Sequence, residues 1–218
     1  MRFIQVGVGG FGKRWAKVLS DSPRAEVVGL VDLSAEALAA CRAEHGHAEE
    51  VCFPSLEEAL GNVEADALVC VVPPEFHRRV TCTAMEAGLH VITEKPMAGS
   101  REDCRAMLEC SLASGRVCAV SQNYRYSPET WTMAELVRRG EIGRVGQVTV
   151  EFFNGVDFGG GFRHEMDYPL LVDISIHHFD LLRFVTGLDA ASARGEAWNP
   201  PWSNYRGDAS GTVLFEMT

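Results

Sequence analysis

The run Phe3-Ile4-Gln5-Val6-Gly7-Val8-Gly9-Gly10-Phe11-Gly12 constrains this chain more than any other stretch, because an apolar segment of strand type breaks into glycines and passes into a helical pattern from Lys13 to Leu19. Gly7, Gly9 and Gly12 fit GxGxxG. The first glycine of that pattern permits a tight turn out of a strand, the second lets backbone approach a pyrophosphate, and the third lets the helix pack closely on the sheet. Phosphate then lies at a helix N-terminus, where N–H groups and the helix dipole attract anions. Gly7, Gly9, Gly10, Phe11 and Gly12 are therefore the expected cofactor-binding turn. A second buried-strand pattern, Val27 to Val31, ends in Asp32, about 20 positions after the last glycine, where a ribose-binding carboxylate is expected. A carboxylate there accepts from a ribose 2′-OH and repels a 2′-phosphate, and Leu33-Ser34 brings no arginine beside it. NAD is expected in preference to NADP.

Helical and strand patterns alternate as far as residue 120. Ser34 caps a helix to about His45, Val51-Cys52-Phe53 is a short strand, and Ser55 to Glu58 resembles a capping box. Ala67 to Val72 is a continuous apolar run, as in a central parallel strand, and stops at Pro73-Pro74. A helix to Glu86, the strand His90 to Thr93, a helix from Arg101 to about Ala113 and the strand Val117 to Val120 follow. The fold class is α/β, with a doubly wound parallel sheet forming a Rossmann dinucleotide-binding domain over residues 1–121. Composition changes after Ser121, and residues 122–218 read as a smaller α+β domain with a mostly antiparallel open sheet. Its expected parts are a helix after Pro128, an alternating strand from Val145 to Phe153 and a long loop from Asn154 to about Pro169 containing Gly159-Gly160-Gly161. A helix from Leu170 to about Thr186, closed by Gly187, precedes strands near Ala191–Ala197 and Gly211–Met217.

With 46% hydrophobic and 23% charged residues among 218, the chain has the composition of a globular protein. A formal charge of −10 argues against a nucleic-acid surface, which depends on clustered Lys and Arg. No apolar run is long enough to span a bilayer, and a strand pattern at the very start leaves no room for a signal peptide, so no membrane partner and a cytoplasmic location are expected. Seven scattered cysteines without metal spacing read as reduced and packed.

Two further clusters carry chemistry. Glu94-Lys95-Pro96 follows an apolar strand directly, hence lies at the carboxyl edge of the sheet, where open α/β proteins bind ligands. In Asp173-Ile174-Ser175-Ile176-His177-His178-Phe179-Asp180, helical spacing puts Asp173, His177 and Asp180 on one stripe. A carboxylate one turn from an imidazole can fix its tautomer. A metal held by His177, His178 and Asp180 is not expected, because adjacent helical histidines point about 100° apart.

In this order and spacing the glycine turn, Asp32, Pro73-Pro74 with His77, Glu94-Lys95-Pro96 and the Asp173–Asp180 motif resemble the Gfo/Idh/MocA oxidoreductases, the family of glucose-fructose oxidoreductase and inositol dehydrogenase. The resemblance covers the first domain fully and the second in part, since family chains are longer. Ser175 replaces the family's usual glycine, and Val72 its usual Thr or Ser before proline. The resemblance implies hydride transfer between NAD(P) and a secondary alcohol or ketone carbon of a sugar, polyol or related molecule. It casts His177 as general base, Lys95 as donor to the same oxygen and Asp173 as their orienting partner. Pro73, His77, Glu94 and Lys95 join the cofactor-binding set, while Tyr124, Arg125, Arg163, His164 and His178 are candidate substrate contacts. The alternative is a dinucleotide-binding sensor that turns nothing over. Val148, Val150, Phe152, Val213 and Phe215 exceed what one helix covers, so a homo-oligomer through the second domain's sheet is expected.

Overall fold

The computed structural model describes residues 1–155 and 160–218, in two compact units, Met1–Ser121 and Gln122–Thr218. In the first unit, β1 (Arg2–Val6), α1 (Gly12–Asp21), β2 (Glu26–Val31), α2 (Ala35–His45), β3 (Cys52–Phe53), α3 (Leu56–Asn62), β4 (Ala67–Cys70), α4 (Pro74–Glu86), β5 (His90–Thr93), α5 (Arg101–Ser114) and β6 (Cys118–Val120) alternate. The six strands form one parallel sheet in the order β3-β2-β1-β4-β5-β6. Successive strands are added outward in one direction from β1 and in the opposite direction from β4, so the turn after β1 opens at the switch point where such sheets bind ligands. All four residues of β4 are buried, as a strand covered on both faces requires. Ile4, Val6, Leu68 and Val91 pack into one core cluster, and Val8, Ala16 and Leu30 into another.

Serine hydroxyls start the helices where the sequence places them. Ser34, Ser55 and Ser100 accept from the amides of Ala37, Glu58 and Asp103, each contributing about 1 kcal/mol. α1 differs, with no side-chain cap and no acidic residue in its first turn.

The second unit begins with a 3-10 turn, Asn123–Tyr126, and α6 (Pro128–Arg138), capped by Ser127. A short α7 (Phe162–Glu165), a π-helical turn at Leu170–Ile174, α8 (Ser175–Thr186) and the antiparallel pair β7 (Ala190–Trp198) and β8 (Ser210–Met217) complete it. Phe179 of α8 meets Phe215 of β8 edge-on at 5.1 Å, so α8 covers one face of the pair. The expected strand from Val145 to Phe153 is not formed. Its side chains alternate, but β8 pairs only with β7 among the described residues, and an alternating segment becomes a strand only where a neighbour takes up its backbone N–H and C=O groups. Part of the expected loop after Asn154, residues 156–159 including Gly159, lies outside the described residues.

Candidate functional site

At the glycine turn the three motif glycines have different reasons to lack a side chain. Gly7 has φ +88°, and a Cβ there would stand 2.4 Å from the Val71 carbonyl oxygen. A Cβ on Gly12 would stand 2.2 Å from the oxygen of Gly7. The fold itself therefore requires both. Among the described residues, the nearest atoms to a Cβ at Gly9 are Ala37 Cβ and Asp32 Oδ2, both at 3.9 Å, so none of them demands glycine there. The residue leaves room beside an uncapped helix N-terminus whose first turn carries exposed Lys13 and Arg14. Basic groups there oppose the helix dipole unless an anion is bound. Open space and surplus donors fit a pyrophosphate.

Side chains brace this turn from below. Gln5, fully buried in β1, donates from Nε2 to the carbonyls of Gly7 (2.9 Å) and Gly12 (2.7 Å). Asp32 Oδ2 accepts from the amides of Val8 (2.9 Å) and Gly9 (3.3 Å), and Oδ1 from Ser34 (2.9 Å). Gly10 and Phe11 are exposed at the tip. Gln5 belongs to no motif, although a glutamine inside an otherwise apolar strand run is itself a signal.

The loops after β4 and β5 are held in the same manner. Glu94 accepts from Trp15 Nε1 of α1 at 2.7 Å and from the Lys95 amide at 3.1 Å, tying the start of α1 to the end of β5. His77 is fully buried. Its Nδ1 lies 3.0 Å from the Pro96 carbonyl and its Nε2 2.8 Å from that of Val72, so the ring clamps the loop after β4 to the loop after β5. Any part His77 plays toward a cofactor thus runs through the backbone it holds. Lys95 is half-buried in this loop, and Pro73 is exposed at the start of α4.

In the second unit the polar stripe of the helix is not solvated. Asp173, in the π-helical turn, is 1% exposed and accepts from Arg163 Nε at 2.6 Å. His177 is 5% exposed, its Nδ1 2.8 Å from Gln122 Oε1 and its ring stacked on Tyr124 at 4.1 Å, 10° from parallel. Asp180 accepts both Nε (2.6 Å) and Nη2 of Arg125, whose pKa this pairing raises. Tyr124 and Arg125 thus pack on the helix bearing His177. His178 faces Phe152, ring centroids 4.8 Å apart, and burial lowers its pKa. His164 stacks on Tyr205. Gln122, which carried no assignment from sequence, is the residue that meets the His177 ring edge.

Comparison with known proteins places both units in one family. Residues 1–122 match the oxidoreductase family with an NAD-binding Rossmann fold, and residues 130–218 the GFO/IDH/MocA C-terminal domain. An uncharacterized protein, y4oX, of Sinorhizobium fredii is 34% identical over 223 residues, covering 99% of this chain and 62% of its own length. The 1,5-anhydro-D-fructose reductase of Ensifer adhaerens is 30% identical, over 88% of this chain and 58% of its own. The crystal structure of the WlbA dehydrogenase from Bordetella pertussis in complex with NADH and UDP-GlcNAcA has a TM-score of 0.85 at 25% identity, covering 99% of this chain and 63% of that one. The chain therefore spans about three fifths of these relatives. With both of its units matched, it belongs to the Gfo/Idh/MocA family of NAD-binding oxidoreductases.

Proposed function

We propose that this chain carries an NAD-dependent dehydrogenase or reductase activity on a secondary alcohol or ketone of a sugar, polyol or related small molecule. The observation that carries the reading is His177, an imidazole almost wholly buried yet fixed edge-on by Gln122 and face-on by Tyr124. A titratable ring held this firmly suits proton transfer in a set geometry. The glycine turn and the amides at the start of α1 would hold the pyrophosphate, and Asp32 a ribose hydroxyl. When bound, the nicotinamide supplies the hydride chemistry. His177 takes the hydroxyl proton in the oxidising direction, Lys95 lends positive charge to the substrate oxygen, and Asp173 with its Arg163 partner fixes the turn from which α8 starts. Glu94, His77 and Pro73 shape the cofactor side by holding backbone. Arg163, His164, His178, Tyr124 and Arg125 define the surroundings in which substrate selectivity would arise. Relatives named as a 1,5-anhydro-D-fructose reductase and an inositol 2-dehydrogenase support this substrate class, and seven free cysteines suit a reducing, cytoplasmic setting.

The test is a screen of sugars and polyols by nicotinamide absorbance, with Lys95→Ala and His177→Ala beside the wild type. Each variant should lose most turnover and keep NADH affinity within about threefold. Near-normal turnover in either would overturn the mechanism, and cofactor binding without turnover on any substrate would favour a sensor.

We also propose a homodimer through the sheet of the second unit. Leu214 of β8 is 60% exposed, and Val148, Val150 and Phe153, in a segment that is not a strand, are between 42% and 91% exposed, an apolar surface that self-association would cover. Val213 and Phe215, expected on this surface, are partly buried, Phe215 against Phe179 of α8. Light scattering at micromolar concentration should give twice the chain mass, and a stable monomer would refute it.

A further inference from the structure

We propose that Gln122 is a positioning residue that fixes the tautomer of His177, keeping a proton on Nδ1 so that Nε2 carries the lone pair. The atom of Gln122 that faces the ring is the amide oxygen, 2.8 Å from Nδ1. An oxygen of this kind only accepts, so the contact is a hydrogen bond only when Nδ1 donates. In a neutral imidazole the other nitrogen is then the basic one.

The setting keeps the ring from turning over. The Tyr124 ring lies parallel to it at 4.1 Å, and His177 is 5% exposed. Gln122 and Tyr124 belong to one short turn, which Arg125 fastens to Asp180, one helical turn beyond His177. Spacing alone suggested a carboxylate, Asp173, for this task. The structure assigns it to a neutral amide from a different segment, while Asp173 forms a salt bridge with Arg163. The proposal rests on the reading of His177 as the proton acceptor.

The tautomer can be read without turnover. In protein labelled with nitrogen-15 histidine, with the pH raised until the ring signals stop changing, the His177 signals, identified by their loss in His177→Asn, should report Nδ1–H. Gln122→Met keeps length but removes the acceptor and should shift the ring toward Nε2–H. Gln122→Glu restores an acceptor oxygen and should restore Nδ1–H. On a substrate that is turned over, Gln122→Met should lower kcat about 10- to 100-fold, with KM changed less than about threefold, and Gln122→Glu should recover part of the loss. Nε2–H in the wild type, an unchanged tautomer in Gln122→Met, or an unchanged kcat in that variant would overturn the proposal. If no substrate is turned over, the oxidoreductase reading fails, and the spectra still decide whether Gln122 sets the tautomer.

Discussion

Two glycine-to-alanine substitutions three residues apart should separate what the fold needs from what the cofactor needs. At Gly9 a methyl group meets nothing nearer than 3.9 Å, and the backbone is outside the left-handed region. Gly9→Ala should therefore fold normally, with stability unchanged or raised by up to about 1 kcal/mol through the smaller entropy of the unfolded chain. At Gly12 the methyl would sit 2.2 Å from the Gly7 oxygen and 2.8 Å from its carbonyl carbon. Those atoms are main chain, and the oxygen is held by Gln5 Nε2, so relief requires moving the turn. Overpacking of this kind costs about 1 to 3 kcal/mol, and more against rigid backbone. The effects on binding run the other way for Gly9. Displacing a pyrophosphate from a single charge-assisted hydrogen bond costs about 2 kcal/mol, or about thirtyfold in affinity. Urea denaturation monitored by circular dichroism measures the first quantity, and calorimetric titration with NADH the second. A Gly9→Ala protein that binds NADH like the wild type would show that the space beside Gly9 is not where the pyrophosphate lies. Equal destabilisation by both substitutions would show that the distinction between the two glycines is wrong.

Asp32→Ala should weaken NADH binding about tenfold or more and narrow the preference over NADPH, since the carboxylate leaves both the ribose and the amides of Val8 and Gly9. Tighter binding of NADPH than NADH by the wild type would refute the role given to Asp32. His178 gives a pH prediction. Burial holds its folded-state pKa below its ordinary value of 6.5, so the unfolded chain takes up the proton first, and stability present above 6.5 is lost as pH falls through that value toward the folded pKa. His47 is depressed in the same sense, so His178→Phe should shrink the loss of urea midpoint between about pH 7.5 and 5.5 without abolishing it. An unchanged loss would mean that His178 is not desolvated in the folded chain.

The first unit was legible because its elements are local and its sheet is covered on both faces. Ala67–Cys70 announces a buried strand by having no polar residue, and Ser34, Ser55 and Ser100 announce helix starts through bonds spanning three residues. Val145–Phe153 fails for the complementary reason: alternation records which side chains face a sheet, while the ladder depends on a neighbouring strand that the segment does not specify. The helix from Leu170 was legible as a whole, but the π-helical turn at Leu170–Ile174 was not, because the residue pattern there is that of an ordinary helix.

At the site, the residues that face outward were easier to find than those that hold them. GxGxxG and Glu94-Lys95-Pro96 are contiguous patterns, whereas Gln5 acts across the turn that follows it and Gln122 on a ring 55 positions away. One signal for the second contact does lie in the chain. Gln122 and Arg125 stand three apart at a 3-10 turn, where residues i and i+3 eclipse, and His177 and Asp180 stand three apart on an α-helix, where they share a face. Two polar pairs of equal spacing can be joined simultaneously, and here both are, each at a separation of 55. The Arg125–Asp180 pair, bidentate and mostly buried, fixes the register between turn and helix. That register decides which atom meets Nδ1 of His177. Shifting the turn by one residue would bring Asn123 or Ser121 to the ring edge, and the shorter side chains would lose the contact. The sequence makes Arg125 a candidate for substrate binding, yet its pairing with Asp180 gives it a prior task, holding in register the turn that brings the Gln122 amide to the His177 ring.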